Sequence, residues 1–118
     1  MPTINVQIQT TSGIHKVTIH PSRLRIRNGE TGVVITWSAT GPTTFLPGAD
    51  AFKWLPNDDG RPAVTRVDDN TLRSEPYDND FDTEIVWEYL IGVEKDGVKI
   101  QVDPEVDNDP PIGPTYLL

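Results

Sequence analysis

The chain is 118 residues long, 36% hydrophobic and 24% charged, with no cysteine and a formal net charge of −8. The missing thiols exclude disulfides, thiolate metal centres and cysteine nucleophiles, and the length allows one proper core but not two. An acidic average field repels phosphate backbones, so no nucleic-acid partner is expected; the nearest approach to a basic cluster is Arg23, Arg25 and Arg27.

In chain order, Ile4, Val6 and Ile8 alternate with polar residues as in a half-buried strand. Thr11-Ser12-Gly13 has turn chemistry, and a second strand with Val17 and Ile19 on one face follows, so a hairpin is expected. After Pro21-Ser22, Leu24 and Ile26 point one way and the three arginines the other. Asn28-Gly29 is a further reversal signal. In Gly32–Ser38, Val33, Ile35 and Trp37 share a face while Val34 adds bulk to the other, which marks a central strand.

From Ala39 to Glu84 the texture changes. Five prolines (Pro42, Pro47, Pro56, Pro62 and Pro76) preclude long regular strands, because each removes a ladder donor. Short strands are expected at Thr43–Phe45, Ala51–Leu55, Ala63–Val67 and Thr71–Arg73, packed with turns over one end of the fold. Glu84–Asp109 then reads as a long hairpin. Ile85, Trp87, Tyr89, Ile91 and Val93 share its buried face, Asp96-Gly97 makes the reversal, and Val98, Ile100 and Val102 return. One domain is therefore expected over 1–109, with an extended Pro-rich tail over 110–118.

The N-terminus has neither a basic region nor an apolar run, and no window approaches the length of a membrane span, so a cytoplasmic chain without membrane contact is expected. A monomer or weak oligomer is the expected state.

The run His20-Pro21-Ser22-Arg23-Leu24-Arg25-Ile26-Arg27-Asn28-Gly29-Glu30, followed by Val34-Ile35-Thr36-Trp37, resembles the cupredoxin pattern of Pro, alternating apolar residues, a Gly with an acid, and Val-x-Trp. Tyr89-Leu90-Ile91 with Val98-Lys99-Ile100-Gln101-Val102 resembles the closing hairpin of that family. Gly97–Pro104 is also similar to a group of small bacterial cupredoxin-like proteins. The resemblance covers both ends of the chain and leaves the middle unmatched. It implies an all-β, Greek-key β-sandwich of about seven to nine strands. It does not imply copper. A blue-copper site needs two imidazoles, a thiolate and a weak axial ligand, but the first His position falls near Thr43 and the Cys position near Val93. The intervening turn, Glu94-Lys95-Asp96-Gly97, is too short to hold the remaining two. No metal or other cofactor is expected on this ground.

Three other constellations carry chemistry. His15 and His20 have opposite parity on one strand and cannot converge on an ion without a bulge. Asp78, Asp80, Asp82 and Glu84 alternate as calcium ligands do at the start of an EF-hand loop. Thr83 stands where the turn Gly belongs, however, and the bland alternative is a set of solvated loop charges. Phe52, Trp54 and Tyr77 are binding candidates: exposed together, they would stack on sugars or grip an apolar peptide. Burial statistics favour instead that Phe52 and Trp54 plug the open end of the sandwich. No nucleophile and base have recognisable spacing, so no enzyme is expected. The expected function is a protein-interaction module working through Ala39–Glu84, with a carbohydrate- or calcium-binding module as the alternative.

Overall fold

The computed structural model describes residues 2–111; from residue 112 on, the expected tail lies outside the described residues. The described residues are all-β apart from one 3-10 turn at Gly48–Asp50. The strands are β1 (Thr3–Thr11), β2 (Ile14–His20), β3 (Arg23–Ile26), β4 (Thr36–Ala39), β5 (Thr44–Phe45), β6 (Phe52–Leu55), β7 (Val64–Asp68), β8 (Thr71–Ser74), β9 (Ile85–Lys95), β10 (Val98–Val102) and β11 (Glu105–Asn108). They form two sheets. One has the order β2-β1-β4-β8-β7; the other has β10-β9-β11-β3, with β5 and β6 also paired to β9.

The alternation read from the sequence sets which face each strand buries. Ile4, Val6 and Ile8 are buried on β1, Trp37 and Ala39 on β4, and Trp87, Tyr89, Ile91 and Val93 on β9, and all belong to one core contributed by both sheets. Fully burying each aliphatic of this kind contributes about 1.5–3 kcal/mol. β1 and β2 pair as the expected hairpin through Ser12-Gly13, both of which have positive φ as a type I′ turn requires. β4 is a central strand, as its two-sided bulk predicts, although regular pairing begins only at Thr36 and Val33 joins through a single bridge to Tyr77.

The closing hairpin is more regular than its division into strands implies. Val98 faces Lys95, Val102 faces Ile91, Glu105 faces Glu88 and Asn108 faces Ile85, one unbroken antiparallel register from end to end. β10 and β11 are thus one return strand, interrupted at Asp103-Pro104, where proline has no N–H to give. Even there the Tyr89 N–H donates to the Pro104 carbonyl at 3.1 Å. β5 and β6 are likewise two pieces of one edge along β9. The eleven strands among the described residues exceed the expected seven to nine, because the partners of β9 are interrupted on both of its sides.

Asn28-Gly29 turns the chain as expected, with Glu30 N–H donating to the Arg27 carbonyl at 3.3 Å, and the chain passes from one sheet to the other between β3 and β4. One expectation needs correction: the Pro-rich middle does not sit over one end. Its fragments fall almost where expected, yet β5 and β6 complete one sheet while β7 and β8 complete the other. Four-residue fragments carry their own strand character, but their partners are chosen by distant residues.

Candidate functional site

β6 explains where the candidate aromatics go. Phe52 and Trp54 share the face that β6 turns toward the core, with exposed Lys53 between them. Trp54 is 2% exposed and its Nε1 donates to the Pro62 carbonyl at 2.7 Å. Its ring lies 5.5 Å from Trp87 and 6.2 Å from Trp37, both edge-on. Phe52 is half-buried and stacks on Tyr89 at 5.2 Å. Tyr77, on the far side of Trp87 at 4.9 Å, is also half-buried, and its hydroxyl donates to Asn108 Oδ1 at 2.7 Å. The three candidates therefore join one aromatic chain running through the core. They do not stand together on a surface, and of the two β6 aromatics Phe52 is the less deeply buried.

Where Phe52 comes out, a cleft of about 460 Å³ opens between β6, the edge of one sheet, and β7, the edge of the other. Phe52, Trp54, Val64 and Leu72 supply apolar lining, while Lys53, Arg61 and Arg66 bring cations and Asp58 a carboxylate. Arg66 reaches from β7 to the other sheet, donating from Nη1 to the Leu46 carbonyl at 2.6 Å and from Nη2 to the Phe45 carbonyl at 3.0 Å. Arg61 donates to the carbonyls of Asp59, at 2.7 Å, and Leu55, at 3.1 Å. The Arg66 bonds link the two sheets, the Arg61 bonds brace the loop between β6 and β7, and together they position the guanidinium groups along the cleft.

The acidic run is placed differently. Asp78 Oδ1 accepts from the Gly32 N–H at 2.8 Å, and buried Asn79 donates to the Ile26 and Asp109 carbonyls, tying this segment to the end of β3. Phe81 packs on Trp87, while Asp80, Asp82 and Glu84 are exposed. Among the described residues no group of three or more His, Cys, Asp or Glu side chains converges as a metal site. His15 and His20 are both exposed; the ring of His15 meets Thr10 Oγ1 at 2.8 Å.

A second acidic run, Asp103, Glu105, Asp107 and Asp109, departs from a set of solvated charges most clearly at Asp107. Asp107 is 1% exposed, and its Oδ2 accepts from Arg23, which also pairs with Glu105 at 3.0 Å. Asp107 Oδ1 is buried without a partner among the described residues. The guanidinium of Arg23 is held above its ordinary pKa, first by this hydrogen bond to Asp107 and then by the carboxylate charge.

The positions that the resemblance equates with copper ligands have structural duties. Thr43 is fully buried, and its Oγ1 accepts from the Ile8 N–H at 3.1 Å. Val93 is fully buried and pairs with Phe45. The hairpin turn is the two-residue Asp96-Gly97, both at positive φ. No known family model matches the chain, and no curated protein matches it.

Sequence reasoning named the aromatics of the cleft but missed its cations. The available signal was Lys53, set between Phe52 and Trp54, with Arg61 and Arg66 bracketing Pro62-Ala63-Val64.

Proposed function

We propose that this chain is a metal-free, non-enzymatic, cupredoxin-like Greek-key sandwich that acts as a protein-interaction module through its Pro-rich middle. The observation that carries the reading is the cleft between β6 and β7, lined entirely by residues 48–72 and flanked by two strands each paired on one side. An unpaired strand edge beside an apolar cleft is a surface on which a protein segment docks with main-chain and side-chain contacts together. The cupredoxin-like assignment is supported by β3 leaving the sheet of β2 for the other sheet, and by the parallel pairs β1–β4 and β3–β11. The metal-free assignment is supported by Thr43 and Val93, whose surroundings are those of core residues.

The test is capture from native lysate with the full chain as bait. Val67, 52% exposed on β7, and Ile14, 71% exposed on the opposite edge strand, can each be changed without touching the core. A protein retained by the parent chain and by Ile14→Asp, but lost with Val67→Asp, is the expected result. Finding no reproducible partner, or losing it with Ile14→Asp alone, rejects the reading.

A further inference from the structure

The positive charge along the β6–β7 cleft is oriented and only partly neutralised. Arg61 gives Nη1 and Nη2 to main-chain carbonyls, and its Nε is buried with no acceptor among the described residues. Arg66 gives its two terminal nitrogens to the carbonyls of Leu46 and Phe45 and meets one carboxylate, Asp69, whose side chain is 82% exposed, at 3.3 Å. Carbonyl acceptors fix a guanidinium without cancelling its charge, whereas a carboxylate does both. Lys53 is exposed on β6 and makes no ion pair among the described residues. In a chain of net charge −8 with ten Lys and Arg, three of the ten line this cleft against one carboxylate, Asp58. Beside them lies the apolar surface of Phe52, Trp54, Val64 and Leu72.

We infer that the cleft binds an extended segment of a partner protein in which an apolar side chain is flanked by carboxylates. The apolar side chain covers Phe52 and Val64, a flanking carboxylate meets Arg61 and Lys53, and the segment's main chain pairs with the open edge of β6. A volume of about 460 Å³ admits one large side chain rather than a folded element. This rests on the interaction-module reading and narrows it to one partner chemistry.

The test uses the full chain and the peptide acetyl-Gly-Asp-Phe-Asp-Gly-amide, followed by calorimetry. Its twin with Asn in place of both Asp, and N-acetylphenylalanine as a free aromatic carboxylate, are the comparison ligands. Saturable binding of the acidic peptide is expected, about tenfold weaker for the Asn twin and weaker also for N-acetylphenylalanine. Lys53→Glu weakens the acidic peptide by about tenfold, while Lys99→Glu, the same charge change on β10, stays within about twofold. The inference is overturned by any of four results: no saturation, an Asn twin of equal affinity, equal effects of the two lysine changes, or N-acetylphenylalanine binding as tightly as the peptide. If the peptide fails while the lysate partner is still lost with Val67→Asp, the interaction face stands and this partner chemistry is wrong. If both fail, both readings fall.

Discussion

Two tyrosines, Tyr77 half-buried and Tyr89 fully buried, separate a hydroxyl that works from one that does not. Tyr77 donates to Asn108 Oδ1, and Asn108 is fully buried with its amide nitrogen on the Ile85 carbonyl at 3.2 Å. Tyr77→Phe strands that acceptor, so a loss of about 1–3 kcal/mol is expected in urea unfolding. Among the described residues Tyr89 OH is buried without a partner, and Trp37 Nε1 beside it is in the same condition. Removing an unpaired hydroxyl forfeits no bond, so Tyr89→Phe is expected to leave the urea midpoint unchanged or raised. A drop as large as that of Tyr77→Phe would show that Tyr89 has a partner in solution. Gly92 is a third case. A Cβ there would lie 2.2 Å from the Asp50 carbonyl oxygen and 2.7 Å from Leu46 Cδ1, because the loop joining β5 to β6 crosses β9 at this residue. Gly92→Ala must push main chain aside, and about 1–3 kcal/mol of destabilisation is expected in the same assay.

At the scale of elements, the closing hairpin was readable because every signal in it is local. Alternation fixes the face, Asp96-Gly97 fixes the turn, and one register then serves its whole length. The four fragments of the middle were readable as strands for the same reason, but not their sheet membership. Nothing within Phe52–Leu55 says that its partner is Glu88–Ile91, more than thirty residues on. The cleft was illegible for that reason too, since it exists only because β6 and β7 edge different sheets. The buried carboxylate was missed because Asp107 alternates with Val106 and Asn108 and so reads as the outward residue of its strand. Its burial makes a prediction about the β3–β11 pair. Arg23→Leu leaves Asp107 buried without its cation and should lower the urea midpoint more than Arg25→Leu does. Adding Asp107→Leu to Arg23→Leu should recover much of the loss, because it removes the buried carboxylate that Arg23→Leu leaves without a cation. A double variant no more stable than Arg23→Leu would mean that the carboxylate has other essential partners.

For the whole molecule, the aromatic chain through the core ties the fold's pH limit to its phenols. Burial pushes Tyr89 above the ordinary phenol value, and burial, followed by the Glu30 charge, raises Tyr77. Below about pH 10 both phenols are protonated in the folded and the unfolded chain, and their contribution is fully present. Above that value the unfolded chain ionises first, so stability falls until the folded phenols ionise in turn. The slope from Tyr89 approaches about 1.4 kcal/mol per pH unit, and partly solvated Tyr77 gives less. Any other change in the charge of this acidic chain at high pH is common to the parent and a tyrosine variant. Comparing the parent with Tyr89→Phe therefore isolates the phenol. Urea midpoints at about pH 8 and about pH 11 should fall further in the parent than in Tyr89→Phe. Equal declines would mean that the Tyr89 hydroxyl already meets water in the folded protein, although Tyr89 sits where β6 pairs with β9.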